Sequence, residues 1–177
     1  MEKSLKSTAV NYGIYLALGL VLYTVLCYAL NIELIVNFWI NLLLMPLIII
    51  TIGVISSAKS KSILGGFMSF KQAFTAYFIP IAIGVTISTI VTVIIFNFID
   101  PDSALYIKEL VITKTQGFME NMGAPQSEIN KTIAQMEEQD TFAIGTQLRS
   151  LAQSLIFFTV IGLIVALIMK KKDPNEA

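Results

Sequence analysis

A chain of 177 residues that is 55% hydrophobic and 14% charged, with a mean hydropathy of +0.76, lacks the polar surface of a water-soluble domain, in which about a quarter of residues are charged. Its 12 basic and 12 acidic residues cancel, which excludes the strongly basic balance of a nucleic-acid binder. Histidine is absent and Cys27 is the single thiol, so neither the commonest general base and metal ligand nor an internal disulfide or thiolate cluster is available.

Four apolar runs follow one another along the chain, at 9–30, 34–55, 73–99 and 151–169. Each is near the roughly 20 residues that a helix needs to cross a hydrocarbon core of about 30 Å, and none holds an ionised side chain in its interior. Backbone groups in lipid must be satisfied within each segment, which selects helices over open strands. The predicted fold is therefore all-α, an integral membrane bundle of four transmembrane helices forming a single domain over residues 1–177.

Lys3 and Lys6 ahead of the first run resemble the start of a signal peptide, but the run exceeds the usual 7 to 15 apolar residues and lacks a small-x-small cleavage site. Leu26 is too bulky for lipoprotein processing at Cys27. The first run is read as a retained span and Cys27 as a packing residue. Between the second and third runs, Gly65 and Gly66 predict a tight turn, Ser69 a helix cap, and Phe67, Phe70 and Phe74 an aromatic interface. A phosphate loop is not implied, since the Gly-Lys-Ser/Thr ending is missing.

Polar groups inside the spans are few. Thr86, Ser88, Thr89 and Thr92 recur at helical spacing on the third run, where hydroxyls bond their own or a neighbouring helix. Asn11, Asn41 and Gln153 are amides that can join helices. Pro46, Pro80 and Gly84 predict kinks, which in a transporter expose backbone to an ion, yet no intramembrane acid, base or histidine stands beside them.

After the third run comes a helical loop, about 100–148. Asp100-Pro101-Asp102 reads as a helix start, Gly123 as its stop, and Pro125 with Glu128 as a restart, with Ile129, Ile133 and Met136 on one face. A helical hairpin is expected, its apolar faces packed on each other and on the membrane, or open as a groove for a partner or lipid. The fourth run follows, with Arg149 snorkelling near its start.

Orientation follows from charge. Lysines 3, 6, 59, 61, 71, 170, 171 and 172 lie outside the spans on what an even number of crossings makes one side, whereas Glu33 and the long acidic loop lie on the other. The positive-inside rule makes the lysine side cytoplasmic, with both termini there and the hairpin extracytoplasmic.

Asn11-Tyr12-Gly13 opening the first span, Gly-x-x-Ser-Phe-Lys-x-Ala-Phe at Gly66 to Phe74, Asp100-Pro101, and the acidic helical loop before a final span ending in lysines resemble the bacterial domain of unknown function 4199 family. The resemblance covers nearly the whole chain. It implies a multi-pass protein of the inner membrane and supplies no activity, cofactor or functional residue.

The functional expectation is a non-enzymatic subunit, assembly factor or scaffold acting through helix and loop contacts, with a small oligomeric transporter or channel subunit as the alternative. Its expected partners are the lipid bilayer and itself or another membrane protein, with no nucleic acid, small-molecule substrate, cofactor, metal or catalytic residue assigned. An enzyme would have to draw its acids from Asp100, Asp102, Glu137, Glu138 and Asp140, and acids clustered on a loop usually form a solvated face.

Overall fold

The computed structural model describes residues 2–172, and all its regular elements are helical. They are α1 (Glu2–Leu30), α2 (Met45–Ile63), α3 (Phe70–Ile94), α4 (Pro101–Asn121), α5 (Gln126–Glu138) and α6 (Ile144–Met169). A 3₁₀ turn, Ile32–Val36, follows α1; π-helical segments lead into α2 at Ile40–Leu44 and continue α3 at Ile95–Ile99. Four helical stretches are long and apolar enough to cross a membrane: Lys3–Leu30, Ile40–Ile63, Phe70–Ile99 and Ile144–Met169.

Every span begins at a different residue from its apolar run, and the second also ends later. The second span starts at Ile40 rather than near residue 34, because Asn37 breaks the run and the residues before it belong to a separate 3₁₀ turn. Asn31 caps the 3₁₀ turn through the Glu33 amide at 3.1 Å, and Asn37 accepts from the Ile40 amide at 3.2 Å. The same helix continues to Ile63 and carries Lys59 and Lys61 on its last turns. At the other end of the chain, α6 begins at Ile144, so its first two turns are polar helix placed in the loop by hydropathy alone.

Helix α3 is the centre of the bundle. It packs against α1, α2 and α6, while α1 and α6 flank it without meeting. Glycines set the closest approaches. Gly84 receives Leu16 of α1, whose Cγ lies 2.6 Å from where a Cβ would stand, and Gly13 of α1 receives Ile83 in return. Gly84, expected to loosen its helix, therefore works as a packing notch. Lower in the bundle, the Tyr77 ring wedges one edge against Gly53 of α2 and the other against Gly162 of α6. Tyr77 is fully buried with Leu16, Ile49, Ile81 and Phe158 around this junction.

Pro80 lies inside α3 and has no amide to offer the Ala76 carbonyl. That carbonyl is taken by Ser56 of α2, whose Oγ donates at 2.8 Å. Ser57 beside it donates to the Ala73 carbonyl at 3.4 Å. The acceptor released by the proline thus joins two helices instead of facing an ion.

The three lysine-bearing segments share one end. Leu5, Leu64, Met68, Ala73 and Ala166 pack together there, bringing the start of α1, the α2–α3 turn and the end of α6 into one cluster. Met68 and Lys171 exchange two backbone hydrogen bonds of 2.9 Å, and the Lys171 ammonium stands 5.3 Å from the Phe67 ring centre. The turn is built as its residues require: Gly65 and Gly66 have φ of +80° and +88°. Ser69 then opens α3 with a reciprocal capping box, accepting from the Gln72 amide while its own amide donates to Gln72 Oε1 at 2.8 Å.

Candidate functional site at the acidic end of the bundle

Helix α4 starts at the end of α3 and is fixed there by its cap. Asp100 Oδ1 accepts from the Ser103 amide at 3.0 Å, Oδ2 accepts from Ser103 Oγ at 2.6 Å, and Pro101 occupies the first helical position. Tyr28, near the end of α1, donates its hydroxyl to the same Oδ2 at 2.8 Å. The Ser103 hydrogen bonds, then that of Tyr28, hold the Asp100 carboxyl below its ordinary pKa of 3.8. Beneath the cap, Phe96 sets its ring edge-on to Tyr28 at 6.0 Å and tilted against Phe142 at 4.5 Å. Asn97 Nδ2 donates to the Phe142 carbonyl at 2.8 Å, tying the end of α3 to the approach to α6.

From this anchor α4 crosses over the 3₁₀ turn to the start of the second span. Ile107 is buried among Ile35, Val36, Phe96 and Phe142, and Phe118, three turns further on, stacks on Phe38 at 5.2 Å. The helix ends as Gly123 requires: φ is +71°, and the Ala124 amide reaches back to the Met119 carbonyl at 3.0 Å. Helix α5 then turns back along α4, where Lys108 Nζ donates to the Glu137 carbonyl at 2.6 Å. Of its apolar face, Ile129 is buried and Ile133 and Met136 are half-buried. Among the described residues, α4 is the one regular element whose backbone runs close to α5.

Two of the cavities at this end of the protein meet at Asn41. One is a groove of about 560 Å³ between α4 and the start of the second span, walled by Ile107, Val111 and Phe118 on one side and Ile35, Phe38 and Leu42 on the other. Lys114 and Thr115 stand along it. The other is a smaller cleft, about 220 Å³, inside the bundle, bordered by Tyr23, Thr24, Asn41, Ser88, Thr89, Thr92 and Gln147. Asn41 borders both, and its amide is fixed by donating to the Ile35 and Asn37 carbonyls at 2.7 and 2.9 Å.

The hydroxyl face of the third span is thus gathered in the cleft, except for Thr86. Of the third-span hydroxyls, Thr89 bonds its own helix as the spacing predicts, donating to the Val85 carbonyl, and elsewhere on the cleft Thr24 donates to the Leu20 carbonyl and Gln147 to that of Thr141. Asn11 and Gln153 are exposed on the bundle's outside and meet no neighbouring helix polar group. Cys27 is buried. Pro46 sits at the start of α2, directly after the π-helical segment, and not at a mid-span break.

The loop carboxylates do not converge. Asp100 is a cap, Asp140 accepts from the Phe142 and Ala143 amides, and Asp102, Glu137 and Glu138 are exposed. Among the described residues no three acidic or thiol side chains gather as a metal site would require. Arg149 is exposed on the second turn of α6, and the one ion pair among the described residues is Lys114 with Glu33, 3.8 Å apart. Sequence reasoning passed over Ser56 and Ser57 because they precede the lysines at the end of an apolar run. The signal that finds Ser56 is Pro80, which leaves the Ala76 carbonyl without its helical donor and so calls for one on a neighbouring helix.

A bundle of four apolar helices capped at one end by lysine-bearing turns and at the other by an acidic pair of helices defines a multi-pass, all-helical membrane protein. The chain belongs to the family described as "Protein of unknown function (DUF4199)", whose match runs over residues 11–171. Comparison with curated proteins and with solved structures gave no match.

Proposed function

We propose that this chain is a non-enzymatic subunit or scaffold of the bacterial inner membrane, with cytoplasmic termini, that engages a protein partner through an extracytoplasmic hairpin formed by α4 and α5. The observation that carries the reading is the combination of a firm anchor and a free surface. The Asp100 cap and the Ile107 cluster fix α4 on the bundle, yet among the described residues α5 packs its backbone close to no regular element but α4, and Leu105 and Tyr106 on α4 and Met122 at its end are exposed. Rigid helices bearing exposed apolar side chains outside the spans suit the docking of another helix. The lysine asymmetry supports the orientation.

A photo-crosslinking side chain at Met122 or Leu105 tests this in native membranes. Discrete protein adducts from these positions, absent from the exposed polar position Gln116, are expected. Adducts only to lipid, with none to protein, would remove the scaffold reading.

The polar cleft favours a second reading, a subunit of an oligomeric channel or transporter. Its hydroxyls and amides offer a solute polar contacts, but one chain encloses only about 220 Å³. Flux of ions or small metabolites through proteoliposomes, abolished by Ser88→Leu or Thr92→Leu, is the outcome that would promote it over the first.

A further inference from the structure

The groove between α4 and the start of the second span is not explained by a protein-docking role for the outer face of α5. Its walls are almost wholly apolar, and one of them, from Phe38 to Leu42, belongs to a helix entering the membrane. It therefore opens at the depth where hydrocarbon gives way to headgroups. Along α4 it extends from Ile107 to Phe118, roughly 16 Å at 1.5 Å per residue. Its volume of about 560 Å³ falls within the roughly 300–1,000 Å³ typical of ligand sites, and its polar groups are few, as in such sites. Water gains little in an apolar trough of this kind, whereas the acyl chains of the surrounding bilayer are already at its mouth.

Lys114 supplies the second half of the argument. Its side chain lines the groove beside Thr115, between Val111 and Phe118 along α4. Among the described residues its one ionic partner is Glu33, at 3.8 Å with both side chains exposed, a loose pair that an anion can replace. The charges at this end of the protein are predominantly acidic, so a cation on the lining of an apolar groove is a selective feature. We infer that this groove binds one anionic phospholipid of the bilayer, an acyl chain lying against Ile107, Val111 and Phe118 and the phosphate meeting Lys114.

The protein carries its own reporter. Trp39 is the sole tryptophan, and its ring packs edge-on against Phe38, a wall of the groove, at 5.6 Å. The full chain in nanodiscs of phosphatidylcholine is titrated with phosphatidylglycerol, or with further phosphatidylcholine, in which the acyl chains are dibrominated, and Trp39 quenching is read.

Dibrominated phosphatidylglycerol is expected to quench at about fivefold lower mole fraction, the preference one lysine near a membrane surface provides. Lys114→Gln, at an exposed site that leaves the fold intact, should bring the two lipids to equal quenching. Val111→Phe, which fills the groove, should raise the mole fraction needed of both. Equal quenching by the two lipids in the parent protein overturns the inference. A preference unchanged by Lys114→Gln does so too, as does quenching that depends on protein concentration and not on lipid, since that outcome assigns the groove to a second copy of the chain. None of these readings depends on whether α5 recruits a protein.

Discussion

The hydroxyl of Tyr28 donates to Asp100 Oδ2 across 2.8 Å, so that the end of the first span holds the carboxylate that starts α4. Three donors converge on this one carboxylate, and all three are lost or weakened on protonation. The Asp100 pKa is held below 3.8, so its contribution to the cap is complete above the ordinary carboxylate range and disappears as pH falls through the lowered folded-state value. Amide exchange at Ser103, corrected for intrinsic rate, should stay slow down to that range and accelerate beneath it. Asp100→Asn keeps an N-cap acceptor and should flatten this pH dependence. Tyr28→Phe preserves the ring against Phe96 but should raise exchange at the start of α4 at neutral pH. A parent protein whose Ser103 exchange is already fast at neutral pH would contradict the anchoring of α4.

The Ser56 hydroxyl and the Ala76 carbonyl make a sharper test, because the proline that frees the acceptor can be removed separately. Ser56→Ala leaves a buried carbonyl without a donor and should cost about 1 kcal/mol, the scale of interhelical hydrogen bonds in membrane bundles. In a Pro80→Ala background, residue 80 regains an amide that can serve Ala76, and the same substitution should cost close to nothing. Reversible unfolding in mixed micelles reads all four proteins of the cycle. Equal costs in the two backgrounds would show that the serine does not compensate for the proline.

These two contacts mark where the sequence is readable and where it is not. Local chemistry was legible: the Ser69 box, the Asp100 cap, the Gly65-Gly66 turn and the Gly123 stop each follow from a residue whose backbone preference acts within a few positions. Hydropathy located four spans and the C-terminal ends of three, at 30, 99 and 169, but not the start of the second, since Asn37 breaks its apolar run by a side-chain hydrogen bond that an average over a window cannot register. Relationships between distant residues were out of reach. Nothing in the pattern of α3 says that Tyr77 will meet Gly53 and Gly162, or that Gly84 is a notch for Leu16 and not a hinge. The groove beside α4 is equally hidden, being formed by residues from 35–42 and 107–118 that only the fold brings together.

Gly53 and Gly162 predict an overpacking effect. A Cβ at either would stand 2.8 Å from a Tyr77 ring carbon, closer than contact permits, and the ring is held from the opposite side by the other glycine. Gly53→Ala and Gly162→Ala should each destabilise the bundle by about 1–3 kcal/mol. Gly19→Ala is the matched control, because nothing lies within 4 Å of its added methyl and alanine is the better helix former. Thermal unfolding of the three variants should lower the midpoint for the first two and leave or raise it for the third.

Membrane sidedness is the last relation to be tested, and burial decides where the probes belong. Ser60, on the last turns of α2, lies at the lysine end but is fully buried, so a cysteine there would stay unlabelled whichever side it faced. Ser62, two residues on, is exposed at the same end, and Asn121 is exposed at the far end of α4. Cys27 is buried, so it contributes little background and Cys27→Ala can remove the remainder. With a membrane-impermeant maleimide added to intact cells or spheroplasts, a cysteine at Asn121 should label at once and one at Ser62 only after the membrane is opened. The lysines at 59, 61 and 71 stand at the ends of α2 and α3 and should fix this orientation. Their joint replacement by glutamine should therefore give a mixed population in which both positions label from both sides. Immediate labelling of Ser62→Cys alone in the parent protein would invert the orientation and carry α4, α5 and the groove into the cytoplasm. Labelling of both positions from one side would contradict the crossing of the bundle between the lysine end and the acidic end.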